Sequence, residues 1–261
     1  MNNQTINELN KRKLDGCYFC IYSVPVTIYF NDGDNFINPK TLIMFFGCNL
    51  QGKRRFISSV ILEDFSKVSD WYDFFLTFKN RGLNVVLYSL LPNISSLRKA
   101  LSLAFPEIEI FNSYSDSIAI INRYFTLKYS DGTLEFIKKI FVSKTLVDYE
   151  IALDDFRNIY SNSQFLIDLL EPEFINAKKN YKLDFEIRRH LFAFYFFREL
   201  SKKLIVISHS EPFFSSVDHF TSKCINIIQL VEKRIYCPKN EWINLINLIY
   251  PTKKDLIKCY L

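Results

Sequence analysis

The sequence predicts an α/β fold built on a mixed sheet, and three observations carry that expectation. Apolar runs of strand length, rich in β-branched and aromatic residues, fill residues 17–62; helical spacing takes over near residue 69; buried-strand and amphipathic-helix patterns then alternate.

The run "CYFCIYSVPVTIYF" (17–30) ends in the turn cluster Asn31-Asp32-Gly33-Asp34-Asn35 and reads as a strand entering a hairpin. "KTLIMFFGCNL" (40–50) supplies a second strand, Gln51-Gly52 a tight turn and "RRFISSVIL" (54–62) a third, so the three should form an antiparallel meander. Ser69-Asp70 marks a helix start, and Trp71, Phe74, Phe75 and Phe78 recur at helical spacing until Gly82 stops the run. "NVVLYSL" then reads as a buried strand, "ISSLRKALSLAF" as a helix, "EIEIF" as a short strand and "SDSIAIINRYF" as a further helix. The order β-β-β-α-β-α-β-α, a meander followed by right-handed parallel crossovers, matches a ribonuclease-H-like core with a five-stranded mixed sheet. Beyond residue 130 no strand is expected before "KLIVIS" (203–208), and "TLEFIKKIF", "YEIALDDFRNIY" and "SQFLIDLL" suit helices. The expected division is an N-terminal tail at 1–16, the core at 17–128, an all-helical insertion at 129–185, and a final core helix with a helical C-terminus at 186–261.

Composition narrows the function classes. With 261 residues, 49% of them hydrophobic, the chain has enough apolar material for a large core. A net charge of +5 permits a polyanionic partner without requiring one. No apolar run is long enough to span a bilayer, the N-terminal stretch "MNNQTINELNKRKLDG" is polar, and six cysteines in mostly apolar surroundings suit reduced thiols, so a soluble, cytoplasmic protein is expected. No Gly-x-Ser-x-Gly, Walker-type or Gly-x-Gly-x-x-Gly motif occurs, and three histidines give little material for acid–base work.

Several segments together resemble a known family. "FGCNLQGKRRF" (46–56), "SDWYDFFLTFKNRGLNVVLYS", "SSLRKALSLAFP", "DYEIALDDFRNIY", "FEIRRHLFAFYFFRELSKKL" and "KNEWINLINLIY" are similar, in order, to pieces of the bacterial Mutator-type insertion-sequence transposases, over roughly residues 17 to 250. With only about 15 residues before the first expected strand, the family's N-terminal DNA-end-recognition region is expected to be lacking. The resemblance implies three carboxylates holding two divalent cations for phosphodiester hydrolysis and strand transfer, since Mg²⁺ takes hard oxygen ligands. Carried over by position, the first carboxylate falls at Ser23, Val24 or Pro25, the second at Pro92 and the third at Arg198; the family's Cys-x-x-His appears as Ser113 and Asp116. None of the three carboxylate positions is acidic. The expectation is therefore a transposase-derived protein without catalysis and without a metal cofactor, acting through double-stranded DNA, a protein partner or a homo-oligomer, with no membrane role.

The alternatives rest on named residues. An active enzyme, requiring Mg²⁺ or Mn²⁺, would have to use displaced acids such as Asp116 or Glu199, although one step on a helix turns a side chain by about 100°. Asp32 and Asp34 read as turn residues, and Cys17-x-x-Cys20 as buried thiols, since residues three apart on a strand point to opposite faces. Cys224 and Cys237 with His209 and His219 fit no familiar zinc spacing, and His190 reads as a surface or helix-face residue. Nucleic-acid binding would draw on Lys53, Arg54, Arg55, Arg188, Arg189, Arg198, Lys202 and Lys203; Arg198 stands out because a guanidinium at the third carboxylate position could bind phosphate directly. A structural oligomer built on the aromatic run "HLFAFYFFREL" (190–200) is the remaining reading.

Overall fold

β1 (Cys17–Asn31) is the middle strand of a five-stranded sheet in a computed structural model that describes residues 6–31, 37–113, 127–192, 194–234 and 237–261. The helix α1 (Ile6–Lys11) precedes it, and β2 (Ile37–Asn49) and β3 (Arg54–Ile61) follow. α2 (Val68–Asn80), β4 (Val85–Leu91), α3 (Ser95–Ala104) and β5 (Glu109–Asn112) complete the alternation. The sheet order is β3-β2-β1-β4-β5, with β1–β2 and β2–β3 antiparallel and β1–β4 parallel, as the order of elements predicts. The helix expected over "SDSIAIINRYF" and the turn carrying Asp32 and Asp34 lie outside the described residues.

The chain divides into two compact units, one made of Met1–Ile110 with Glu199–Leu261, the other of Phe111–Arg198. In the second unit run α4 (Leu127–Val142), α5 (Leu146–Ile159), α6 (Gln164–Lys178) and α7 (Phe185–Leu191). α5 opens with Thr145, whose hydroxyl accepts the Asp148 amide at 3.1 Å while the Asp148 carboxylate accepts the Thr145 amide at 3.0 Å. Its inner face buries Tyr149, Ala152, Leu153 and Phe156; the Phe156 and Phe174 rings meet edge-to-face at 5.1 Å, and the Tyr149 hydroxyl donates to the Phe174 carbonyl. α8 (Phe194–Ser208) is followed by α9 (Val217–Lys223), α10 (Ile225–Lys233) and α11 (Lys239–Ile257). "KLIVIS" therefore lies in a helix: Leu200, Leu204 and Ser208 are buried at four-residue spacing, and that periodicity overrides the strand propensity of Ile205, Val206 and Ile207. Among the described residues no helix is long and apolar enough to cross a membrane.

Strand register assigns the two faces of the sheet. Ile21↔Gly47, Ser23↔Phe45 and Pro25↔Ile43 share the face covered by α2 and α3, where Phe45 packs with Trp71, Phe75, Phe78, Leu97 and Leu101. Tyr22↔Phe46, Val24↔Met44 and Val26↔Leu42 share the other, where Tyr22 stacks on Phe46 at 5.7 Å. On the β3 and β4 sides α9, α10 and α11 pack against the sheet. Gly52 turns β2 into β3 at φ +74°, with the Trp242 ring 3.2 Å from where a Cβ would stand, and the Trp242 indole donates to the Leu50 carbonyl at 2.7 Å. The hairpin and the late tryptophan singled out in the sequence thus meet.

β3 is an edge strand, closed by side chains instead of another strand. Glu232 of α10 accepts the Phe56 amide at 2.8 Å, and Arg12 donates to the Phe56 carbonyl at 2.6 Å and pairs with Glu232. Ile57 is the extra residue of a β-bulge, because Phe45 pairs with Ser58 and Phe46 with Phe56; Arg81 takes its carbonyl at 2.8 Å. Arg81 also donates to the carbonyls of Arg12 and Leu9. Burial pushes its guanidinium down to about 10, so it stays charged at neutral pH. Residues 1–16, expected as a tail, therefore include α1 and a segment with Leu9 and Leu14 buried.

Two predictions follow from this packing. Glu232→Gln leaves Arg12 without its counter-charge at the strand edge and should cost about 2–4 kcal/mol in urea unfolding; an unchanged midpoint would contradict the clamp. Burial pushes the Cys17 and Cys224 thiols from 9.0 to about 12. The folded chain keeps protons there that the unfolded chain loses, so this contribution is full below pH about 9 and is lost as pH rises toward 12. Melting temperatures measured between pH 8 and 12 should fall along that range, and a flat profile would refute the assignment.

Candidate functional site

The parallel pairing of β1 with β4 assembles the place the sequence pointed to. The register runs from Cys17↔Val85 to Tyr22↔Leu90, and β4 ends at Leu91. Carried on by two residues, it sets Val24, in the middle of β1, level with Pro92 just past the end of β4, so the first and second carboxylate positions fall near each other. Ser23 and Val24 are fully buried and point to opposite faces, Ser23 beside Phe45 and Val24 with Tyr22 and Phe46; Pro25 is half-buried and Pro92 buried.

What occupies this end is apolar or weakly polar. Ile21↔Ser89 puts Ser89 on the face of Ser23, and both hydroxyls are buried and, among the described residues, without a hydrogen-bond partner. The loop after β4 is held by Arg98 of α3, which sequence reasoning missed: its Nε donates to the Pro92 carbonyl and its Nη2 to the Leu91 carbonyl, both at 3.0 Å. The Ile94 amide donates to the same Pro92 oxygen at 2.8 Å. A guanidinium therefore sits where the resemblance implies a carboxylate loop. The signal was present as an arginine one turn into the helix that follows Pro92.

The remaining residues separate into used and exposed groups. Arg198 belongs to α8, and its side chain lies outside the described residues, as does Asp116; Glu199 is exposed. Arg188, expected to bind nucleic acid, is buried instead: it donates to the carbonyls of Leu183, Ser143 and Lys144 and lies 3.9 Å from the centre of the Tyr181 ring. Arg54 is buried as well, with its charge close to the Tyr22 hydroxyl and the Cys48 thiol. Arg189 pairs with Glu186 at 2.7 Å, and Arg55 lies 4.0 Å from Glu232. Lys53, Lys202 and Lys203 are exposed and open to a polyanion.

Three of the thiols weighed for a metal are buried, and two of the imidazoles meet local groups. Cys17 and Cys20 are buried in β1, and Cys224 is buried at the α9–α10 junction. The His209 ring meets the Ile205 carbonyl at 2.9 Å; His219 has Nδ1 against Ser215 and Nε2 3.4 Å from Glu211. His190 is buried, not a surface residue.

A family model described as the Mutator family of transposases matches residues 2–208, which include all three carboxylate positions. The chain belongs to the Mutator transposase family. No curated protein matches it. The match reaches further toward the N-terminus than the segments read in the sequence, and the Trp242 segment lies beyond it.

Arg98 supplies the test of this geometry. Arg98→Ala should lower stability by about 1.5–3 kcal/mol by stranding two carbonyls, and Arg98→Lys should recover at most part of it, since an ammonium lacks the planar fork. Urea unfolding measures both, and a neutral Arg98→Ala would contradict the clasp.

Proposed function

We propose that this member of the Mutator transposase family has lost phosphoryl transfer and serves, where it acts, as a binding module for nucleic acid or protein. One observation carries the reading: the stretch of β1 and the end of β4 that would have to carry the first two metal ligands lie near each other, yet hold Ser23, Val24 or Pro25 and Pro92, with Arg98 clasping the second. Two-metal chemistry needs carboxylate oxygens to gather the cations and neutralise them. A buried hydroxyl, an isopropyl group and a pyrrolidine ring supply none, and Arg198 stands at the third position, so the residues present do not fit a pair of divalent cations. The sheet order and the parallel β1–β4 pairing support the ribonuclease-H-like reading of the core. Retained packing on both faces supports a chain that still folds around an altered site.

DNA is the partner the family relationship favours, with Lys53, Lys202 and Lys203 as the described cations free to meet phosphate and Arg198 as the residue to change first. The test titrates fluorescent double- and single-stranded DNA with the purified chain across a salt series, with and without Mg²⁺, and runs the products on a denaturing gel. Binding that weakens with salt and leaves the strands intact is the expected result. Mg²⁺-dependent nicking would overturn the reading and direct attention to Glu199 and Asp116. Failure to bind at low salt would remove DNA as the partner and leave a protein or a second copy.

A further inference from the structure

Two cysteines face each other across the middle of the sheet. Cys20 of β1 pairs with Cys48 of β2, and Cys48 pairs in turn with Arg54 of β3, so the three side chains form a lateral row on one face. Cys20 and Cys48 are 1% and 0% exposed, and Arg54 is buried beside them. The next row on that face is Tyr22 stacked on Phe46. Cys237, half-buried and in the same compact unit, lies close enough for its charge to bear on the Cys48 thiol, as the charges of Cys20 and Arg54 do. The Cys48 thiol donates to the Asn49 carbonyl at 3.7 Å.

Strand geometry decides what such a pair can hold. The Tyr29 carbonyl accepts the Phe214 amide on the flank of β1 away from β2, so the odd-numbered residues from Ile21 onward turn their backbone groups to that flank. The even-numbered ones, Cys20 among them, turn theirs toward β2. Cys20 and Cys48 are therefore a hydrogen-bonded pair, with Cα atoms about 5.5 Å apart and Cβ atoms at a similar distance. A disulfide draws its Cβ atoms to about 3.8 Å, whereas two metal–thiolate bonds of about 2.3 Å hold sulfurs up to roughly 4.6 Å apart. The spacing favours a bridging ion over a sulfur–sulfur bond.

We propose that Cys20 and Cys48 form a site for a soft monovalent cation of the copper(I) class, with Cys237 as the partly exposed thiol through which the ion enters. Thiolates select such ions over Mg²⁺ and Mn²⁺, which prefer oxygen, and structural zinc asks for four ligands. Binding forms two metal–sulfur bonds and releases the two thiol protons, with no change of oxidation state. Two thiolates and one copper(I) leave a single negative charge, and the Arg54 guanidinium opposite Cys48 offsets it where an unpaired charge would be costly. The site is separate from the carboxylate positions and does not depend on DNA binding.

Titration of the reduced full chain against copper(I) held by bicinchoninate, without oxygen, tests the proposal. The chain should withdraw one copper per molecule, X-ray absorption at the metal should show sulfur donors alone, and the affinity should fall about a hundredfold per pH unit toward acid as two protons compete. Cys20→Ala and Cys48→Ala should each abolish the withdrawal. Cys17→Ala, Cys224→Ala and Cys259→Ser change thiols elsewhere and should retain it, with circular dichroism establishing that each variant is folded. Should either of the first two variants unfold, the donor set and the pH slope of the wild type decide. No copper withdrawn, nitrogen or oxygen donors at the metal, a flat pH dependence, or withdrawal that survives Cys20→Ala or Cys48→Ala would overturn the proposal.

Discussion

A strand hydrogen-bonded on both flanks and covered on both faces cannot hold an unpaired charge, and that constraint governs the centre of this protein's sheet. β1 is such a strand up to the candidate position: β2 pairs with it on one side, β4 on the other as far as Tyr22, and its residues from Cys17 to Val24 are buried. A carboxylate there would need a cation or several donors, since burying a lone ion costs several kcal/mol even after relaxation. In a metal enzyme the divalent ions meet that cost. Here the position holds a small hydroxyl or a branched apolar side chain, which the core accommodates without a counter-ion.

Several charged groups of the first unit stand where the backbone would otherwise be stranded. Glu232 and Arg12 cap the amide and carbonyl of Phe56, Arg81 closes the bulge at Ile57, and Arg98 holds the loop after β4. The first two links join segments far apart in sequence, so the N-terminal stretch and α10 are fastened to the same edge strand. A basic run such as Lys11-Arg12-Lys13 reads as a solvated face on paper, yet its middle residue is one of the clamps.

Strands and helices with strong apolar periodicity were legible: β1 to β4 and α2 fall close to where alternation, turn residues and helical spacing put them, because both faces of the sheet are packed and the pattern must follow the pleat. Two kinds of feature were not. "KLIVIS" has the composition of a strand, and only the four-residue spacing of Leu200, Leu204 and Ser208 shows the helix that tertiary packing selects. Arginine roles were hidden too, since Arg54 and Arg188 have the same side chain as an exposed cation and differ only in the carbonyls, rings and neighbours that enclose them. At the candidate site, the first two carboxylate positions could be read from the resemblance, whereas the Arg98 clasp depends on which carbonyl oxygens the loop turns toward α3.

On the proposed reading this scaffold no longer gathers divalent cations. Titration of the full chain with Mn²⁺, followed by the electron paramagnetic resonance signal of the free ion, tests it without reference to any DNA substrate. The free-ion signal should rise in proportion to added Mn²⁺ through the low millimolar range, with no saturable site. Depletion of one or two Mn²⁺ per chain at micromolar concentration, reversed by Mg²⁺, would contradict it.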